Sequence, residues 1–167
     1  RLSNAAYRGV TSKGINPGVK VIGIDGASAV LDGADREYLL EIGVTSDTGT
    51  MEMGCIRSFK SSLPTSTIVY NLRLTDESGI PIYKLGNQKL TVAIPIPEEL
   101  ADQELNMLTL DRNGQPEFVN VDRAVIDGKE VFCFSVDTVA QIGVYPTGAV
   151  KASMDLLELD VDLKRMS

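Results

Sequence analysis

Between one turn signal and the next, apolar and polar residues of this chain alternate with a period of two, and no long stretch keeps a helical period. That spacing puts successive side chains on opposite faces of an extended backbone, so each segment can bury one row and wet the other. Tyr38, Leu40, Ile42 and Val44 form one such row; Ile68, Tyr70, Leu72 and Leu74 form another, opposed by Asn71, Arg73 and Thr75. Val19, Val21, Ile22 and Ile24 lead into Asp25-Gly26, a dipeptide suited to tight turns. Leu90, Val92, Ile94 and Ile96 make a row closed by Pro95 and Pro97. Proline cannot donate to a ladder, so these prolines are expected at a strand end or a sheet edge, the edge being preferred. Leu108 with Leu110, Phe118 to Val121, and Phe132, Phe134 and Val136 mark shorter strands separated by Asn113-Gly114 and Asp127-Gly128, the last pair reading as a hairpin. Ile142, Val144 and Tyr145 complete the set. About eight or nine strands with turns at such intervals predict an all-β fold, an antiparallel β-sandwich.

The same reading divides the chain into a linker or disordered arm over 1–18, a β-sandwich domain over 19–146 and a C-terminal tail over 147–167. Pro97-Glu98-Glu99-Leu100 predicts a short helix near 97–103, with proline at its start and acids in its first turn. Ser46 to Gly54 reads as a polar loop. In the tail, Leu157, Leu159, Val161 and Leu163 alternate with Glu158, Asp160, Asp162 and Lys164 as in an added strand, whereas Ala149 to Leu156 holds good helix formers. An added strand, a helix and a linker all stay open there. No apolar run reaches the roughly 18 residues that cross a bilayer. A chain opening on Arg1 is expected to be a fragment or a mature form.

Composition removes several chemistries. The chain has no histidine, the commonest general base and metal ligand, so proton-transfer catalysis and histidine-bound metals are not expected. Its net charge of -7 repels phosphate backbones, so no nucleic-acid partner is expected. Ser135 lies near Asp137 but lacks a base, and reads as a strand-end serine. Cys55 and Cys133 are too few for a cysteine zinc site; Cys133 reads as a buried thiol facing away from Phe132 and Phe134, and a Cys55–Cys133 disulfide is the weaker reading. Asp111-Arg112-Asn113-Gly114 begins like a calcium loop but lacks the later ligands, so it reads as a turn. Asp155, Glu158, Asp160 and Asp162 read as a solvated face, and neither Glu98 with Glu99 nor Glu37 with Glu41 is singled out as a glycosidase pair. No catalytic, cofactor-binding or metal residues are therefore assigned, no cofactor is expected, and the chain is read as not an enzyme. A Lys–Asn isopeptide link needs a buried lysine, which the polar surroundings of these lysines do not favour.

From Tyr70 to Tyr145 the order of motifs resembles a known family. Tyr70-Asn71-Leu72-Arg73-Leu74-Thr75-Asp76, Ser78-Gly79-Ile80-Pro81-Ile82, Leu90 to Pro97, Leu105 to Leu110, Asn113-Gly114, Asp127 to Phe134 and the closing Ile142 to Tyr145 are similar to Ig-like β-sandwich modules of Gram-positive bacterial cell-surface proteins. Such modules commonly carry an acid-His-Phe-Ser stretch before the last strand; here Asp137-Thr138-Val139-Ala140 stands there, which argues against self-cleavage. The resemblance implies an extracellular, secreted or wall-attached setting and a structural or adhesive role, with a protein or glycan partner. The alternative is a carbohydrate- or wall-binding accessory domain, which would draw on aromatic residues such as Tyr7, Tyr38 or Tyr83.

Overall fold

A computed structural model describes residues 18–111 and 113–148. Two sheets pack face to face as an all-β sandwich. The larger has seven strands in the order β1 (Val19–Ile22), β3 (Tyr38–Thr45), β4 (Ile68–Asp76), β11 (Ile142–Pro146), β7 (Leu105–Leu110) and β8 (Pro116–Val119), with β5 (Pro81–Ile82) on the end of β4. The smaller runs β2 (Ser28–Leu31), β6 (Leu90–Pro95), β10 (Lys129–Val136) and β9 (Asp122–Ile126). Pairing is antiparallel except at one margin, where β1 lies parallel to β3 because the chain visits β2 in the other sheet between them. A 3₁₀ turn at Glu98–Leu100 falls within the expected 97–103 window.

The alternating rows do what their period requires. Leu40 and Ile42 from β3, Tyr70, Leu72 and Leu74 from β4, Leu90, Val92 and Ile94 from β6, Phe132 and Phe134 from β10, and Ile142 and Val144 from β11 meet in one core between the sheets. Phe132 sits at its centre, 5.9 Å from the Tyr70 ring and 6.2 Å from that of Phe134. Val44, at the end of its row, is exposed.

Three features depart from the sequence reading. The stretch read as a polar loop over 46–54 leads into helix α1, Gly49–Phe59. Its glycines and threonine are weak helix formers, but Met51 and Cys55, one turn apart, seat on the outer face of the larger sheet against Val69, Leu108, Leu110 and Tyr145. Tertiary burial thus outweighs a modest propensity. Gly143 permits the approach, because a Cβ there would lie 2.7 Å from the Met51 sulfur.

Secondly, β6 is an interior strand, not an edge, and Pro95 takes the other expected place, the strand's end. Ile96 donates its N–H to Glu130 of β10, so neighbouring Pro95 turns its nitrogen toward the β2 side. There β2 has not begun: its first residue, Ser28, lies opposite Ala93. The missing donor costs nothing where no strand awaits it. Thirdly, the hairpin closed by Asp127-Gly128 joins β9 to β10, while Phe118 belongs to β8 in the other sheet. Asp122 to Ile126 has no clean alternation that would have marked it as a strand. The terminal arm and the tail beyond Gly148 lie outside the described residues.

Candidate functional site

At the β8 margin the two sheets part. β9 pairs with β10 only from Lys129 to Cys133, and from Asn120 to Val121 the chain crosses between the sheets. Beyond Cys133, β10 therefore has β6 on one side and, among the described residues, no strand on the other. Among the described residues β8 likewise pairs only with β7. The space between these two strand edges is a cleft of about 400 Å³, walled by Thr109 to Asp111, Glu117 to Asn120 and Cys133 to Thr138.

Among the described residues, four carboxylates line it, Asp111, Glu117, Asp122 and Asp137, against one ammonium, Lys89. Lys89 stands 3.9 Å from Asp137 with both side chains more than half exposed, a geometry worth less than about 1 kcal/mol. The negative field is thus only partly compensated. Phe118, 68% exposed, forms an apolar lip and stacks on Phe59 of α1 with ring centroids 5.2 Å apart. Met53 and Ile56 continue the exposed apolar surface along the helix.

The residues weighed from sequence are scattered relative to this cleft. Ser135 and Asp137 both line it, but the Ser135 hydroxyl is 2.8 Å from that of Thr91, and Asp137 faces Lys89 and Thr138. Asp111 accepts from the backbone amides of Asn113 and Gln115 at 2.8 and 2.9 Å, so its carboxylate closes a turn. Among the described residues no cluster of three or more acids or cysteines has a metal-binding arrangement. Glu37, Glu41, Glu98 and Glu99 are not part of the cleft wall. Asp155, Glu158, Asp160 and Asp162 lie outside the described residues, as does Tyr7. Tyr38 is half-buried and Tyr83 exposed, and neither lines the cleft. The described lysines, Lys20, Lys60, Lys84, Lys89 and Lys129, are all exposed, unlike the buried lysine of an isopeptide link.

Cys55 and Cys133 are buried thiols on opposite outer faces of the sandwich, Cys55 under α1 and Cys133 on the far side of the smaller sheet. Two full layers separate them, far beyond the roughly 7 Å that a disulfide tolerates between Cα atoms. Burial, and secondarily the charge of Glu52, pushes the Cys55 thiol up, away from the reactive thiolate.

Comparison with family models, with curated proteins and with solved structures finds no match to this chain.

Proposed function

We propose that this domain is a non-catalytic adhesive or structural module of a secreted or cell-surface bacterial protein, and that it grips its partner in the cleft between β8 and β10. The single observation behind this reading is the juxtaposition of two open strand edges with four carboxylates and one exposed aromatic lip. An open edge offers unpaired backbone groups to an incoming extended segment, which is how many peptide-binding domains add a strand. The charge selects the partner: an extended polypeptide alternating basic and apolar residues would answer the carboxylates with one face and Phe118 with the other. The Ig-like kinship to Gram-positive surface modules belongs to the same proposal, as does an extracellular location. A glycan-binding role is less well supported, since neither Tyr38 nor Tyr83 borders the cleft.

Titration with a labelled peptide of alternating lysine and valine tests the reading. Binding is expected at low salt and should weaken as salt rises. Glu117→Lys with Asp122→Lys should weaken it by about tenfold or more, since each lost charge pair near a surface is worth on the order of 1 kcal/mol. Glu41→Lys, away from the cleft, should leave it unchanged. No binding at low salt, or equal binding by an acidic peptide of the same pattern, would overturn the cleft assignment. Antibody labelling of intact cells that requires permeabilisation would overturn the surface location.

A further inference from the structure

The two strand edges of the cleft differ in what their backbones offer. In an antiparallel pair, residues that exchange bonds with the neighbouring strand alternate with residues whose N–H and C=O point away from it. Asp111 donates its N–H to Gln115 where β7 turns into β8, so the next exchanging pairs are Thr109 with Glu117 and Met107 with Val119. The other side of β7 agrees: Thr147 donates to Glu104, which leaves Asn106 and Leu108 to bond β11. Phe118 therefore turns both its N–H and its C=O away from β7, and Pro116 turns its C=O the same way. On β10, Ile96 donates to Glu130, so Phe132, Phe134 and Val136 bond β6 while Ser135 turns toward the cleft. That edge ends at once, because the Asp137 carbonyl already accepts from Leu85.

Side chains separate the edges further. Phe118 opposes Leu108 of the outer cluster, so its ring lies on the outer face, stacked on Phe59 with exposed Ile56 one helical turn away. Glu117 opposes Thr109, which opposes Ile142 of the core, so Glu117 lies on the cleft side with Asp122. Among the described residues neither Glu117 nor Asp122 has an ion-pair partner. Beside β10, by contrast, Asp137 is already matched by Lys89, whose ammonium repels a basic chain. On the reading that the cleft takes an extended basic polypeptide, we infer that this partner adds as a strand to β8 and not to β10, bonding the backbone of Phe118. One large apolar side chain of the partner then lies beside Phe118, against Phe59 and Ile56. The basic residues before and after it fall on the opposite face and meet Glu117 and Asp122. The recognised unit is a basic-apolar-basic triplet.

Amide exchange followed by NMR on the full chain reads the choice of edge. The probe is a peptide carrying one Lys-Leu-Lys triplet between serines. In the free protein the Phe118 amide should exchange fast, as an unbonded edge amide does. With peptide at about ten times its Kd, that exchange should slow by about tenfold, following the fraction of protein left unbound, while the Ser135 amide stays unchanged. Phe118→Ala should weaken the leucine-centred peptide by about fivefold or more and an alanine-centred one by less than about twofold, since only the larger side chain covers the ring. A peptide that binds but protects Ser135 and not Phe118 overturns the assignment to β8 and leaves the cleft reading standing. Equal loss for both peptides overturns the apolar contact. No binding overturns the cleft reading and this inference together. Slow exchange of the Phe118 amide in the free protein also overturns it, because the edge is then already covered, by a second copy if exchange quickens on dilution.

Discussion

Gly23 is the residue least open to substitution. Its φ of +103° lies where side chains are strained, and a Cβ would come within 2.0 Å of the Ile42 carbonyl oxygen in β3. The chain must turn there to pass from β1 into the other sheet, so relief would require parting β1 from β3. Gly23→Ala should cost more than about 2 kcal/mol of stability in urea unfolding, because both strain and collision act. Tyr70 and Tyr145 carry the alkaline limit. Each is 2% exposed, and burial, helped by Glu99 and Cys55 respectively, pushes both phenols up to about 12. A phenol whose folded value is raised above its unfolded value of about 10 stabilises the protonated native state fully below pH 10, and that contribution is lost as pH rises toward 12. At about 1.4 kcal/mol per unit, the two together are worth several kcal/mol. Stability should therefore fall steeply between these limits, with late tyrosinate absorbance rising together with unfolding. Early, non-cooperative ionisation of both phenols would contradict their burial.

Two turns are built by one device. In Asp76-Glu77-Ser78-Gly79, Asp76 accepts from Ser78 and Ile80 at 2.9 and 3.0 Å; Asp111 does the same for Asn113 and Gln115 in the turn from β7 to β8. In both, the glycine N–H returns to the aspartate carbonyl. Replacing either aspartate by alanine should cost about 1–2 kcal/mol, the loss of two exposed but charge-assisted bonds. Asp111→Asn should recover part of it, since an amide oxygen still accepts. The shared Asp-x-x-Gly pattern was legible in both segments, though nothing in it reveals that both carboxylates face the same backbone amides. Helix α1 was not legible. Met51 and Cys55 supply its buried stripe, while Met53, Ile56 and Phe59 stay exposed, so its apolar residues do not sort onto one face.

For the whole molecule, the position of each row decides the energetics. Phe132, fully buried between Tyr70 and Phe134, joins both sheets through one contact. Phe132→Ala should destabilise by about 3–5 kcal/mol with an unchanged denaturant slope, the cost of a large core cavity. The placement of the thiols on opposite outer faces predicts that intact mass does not change on reduction. A mass gain of two hydrogens would require a different arrangement of the sheets.

Read alone, the chain determined its class, most strand rows, the aspartate turns and the separation of Cys133 from Phe132 and Phe134, because period and turn chemistry act between near neighbours. Tertiary structure alone decided that Pro95 sits inside a sheet, that α1 forms, and that Asp111, Glu117, Asp122 and Asp137 share one cleft. Those facts depend on which strands become neighbours, and pairing across sheets is set by the burial of whole faces, which no local spacing encodes.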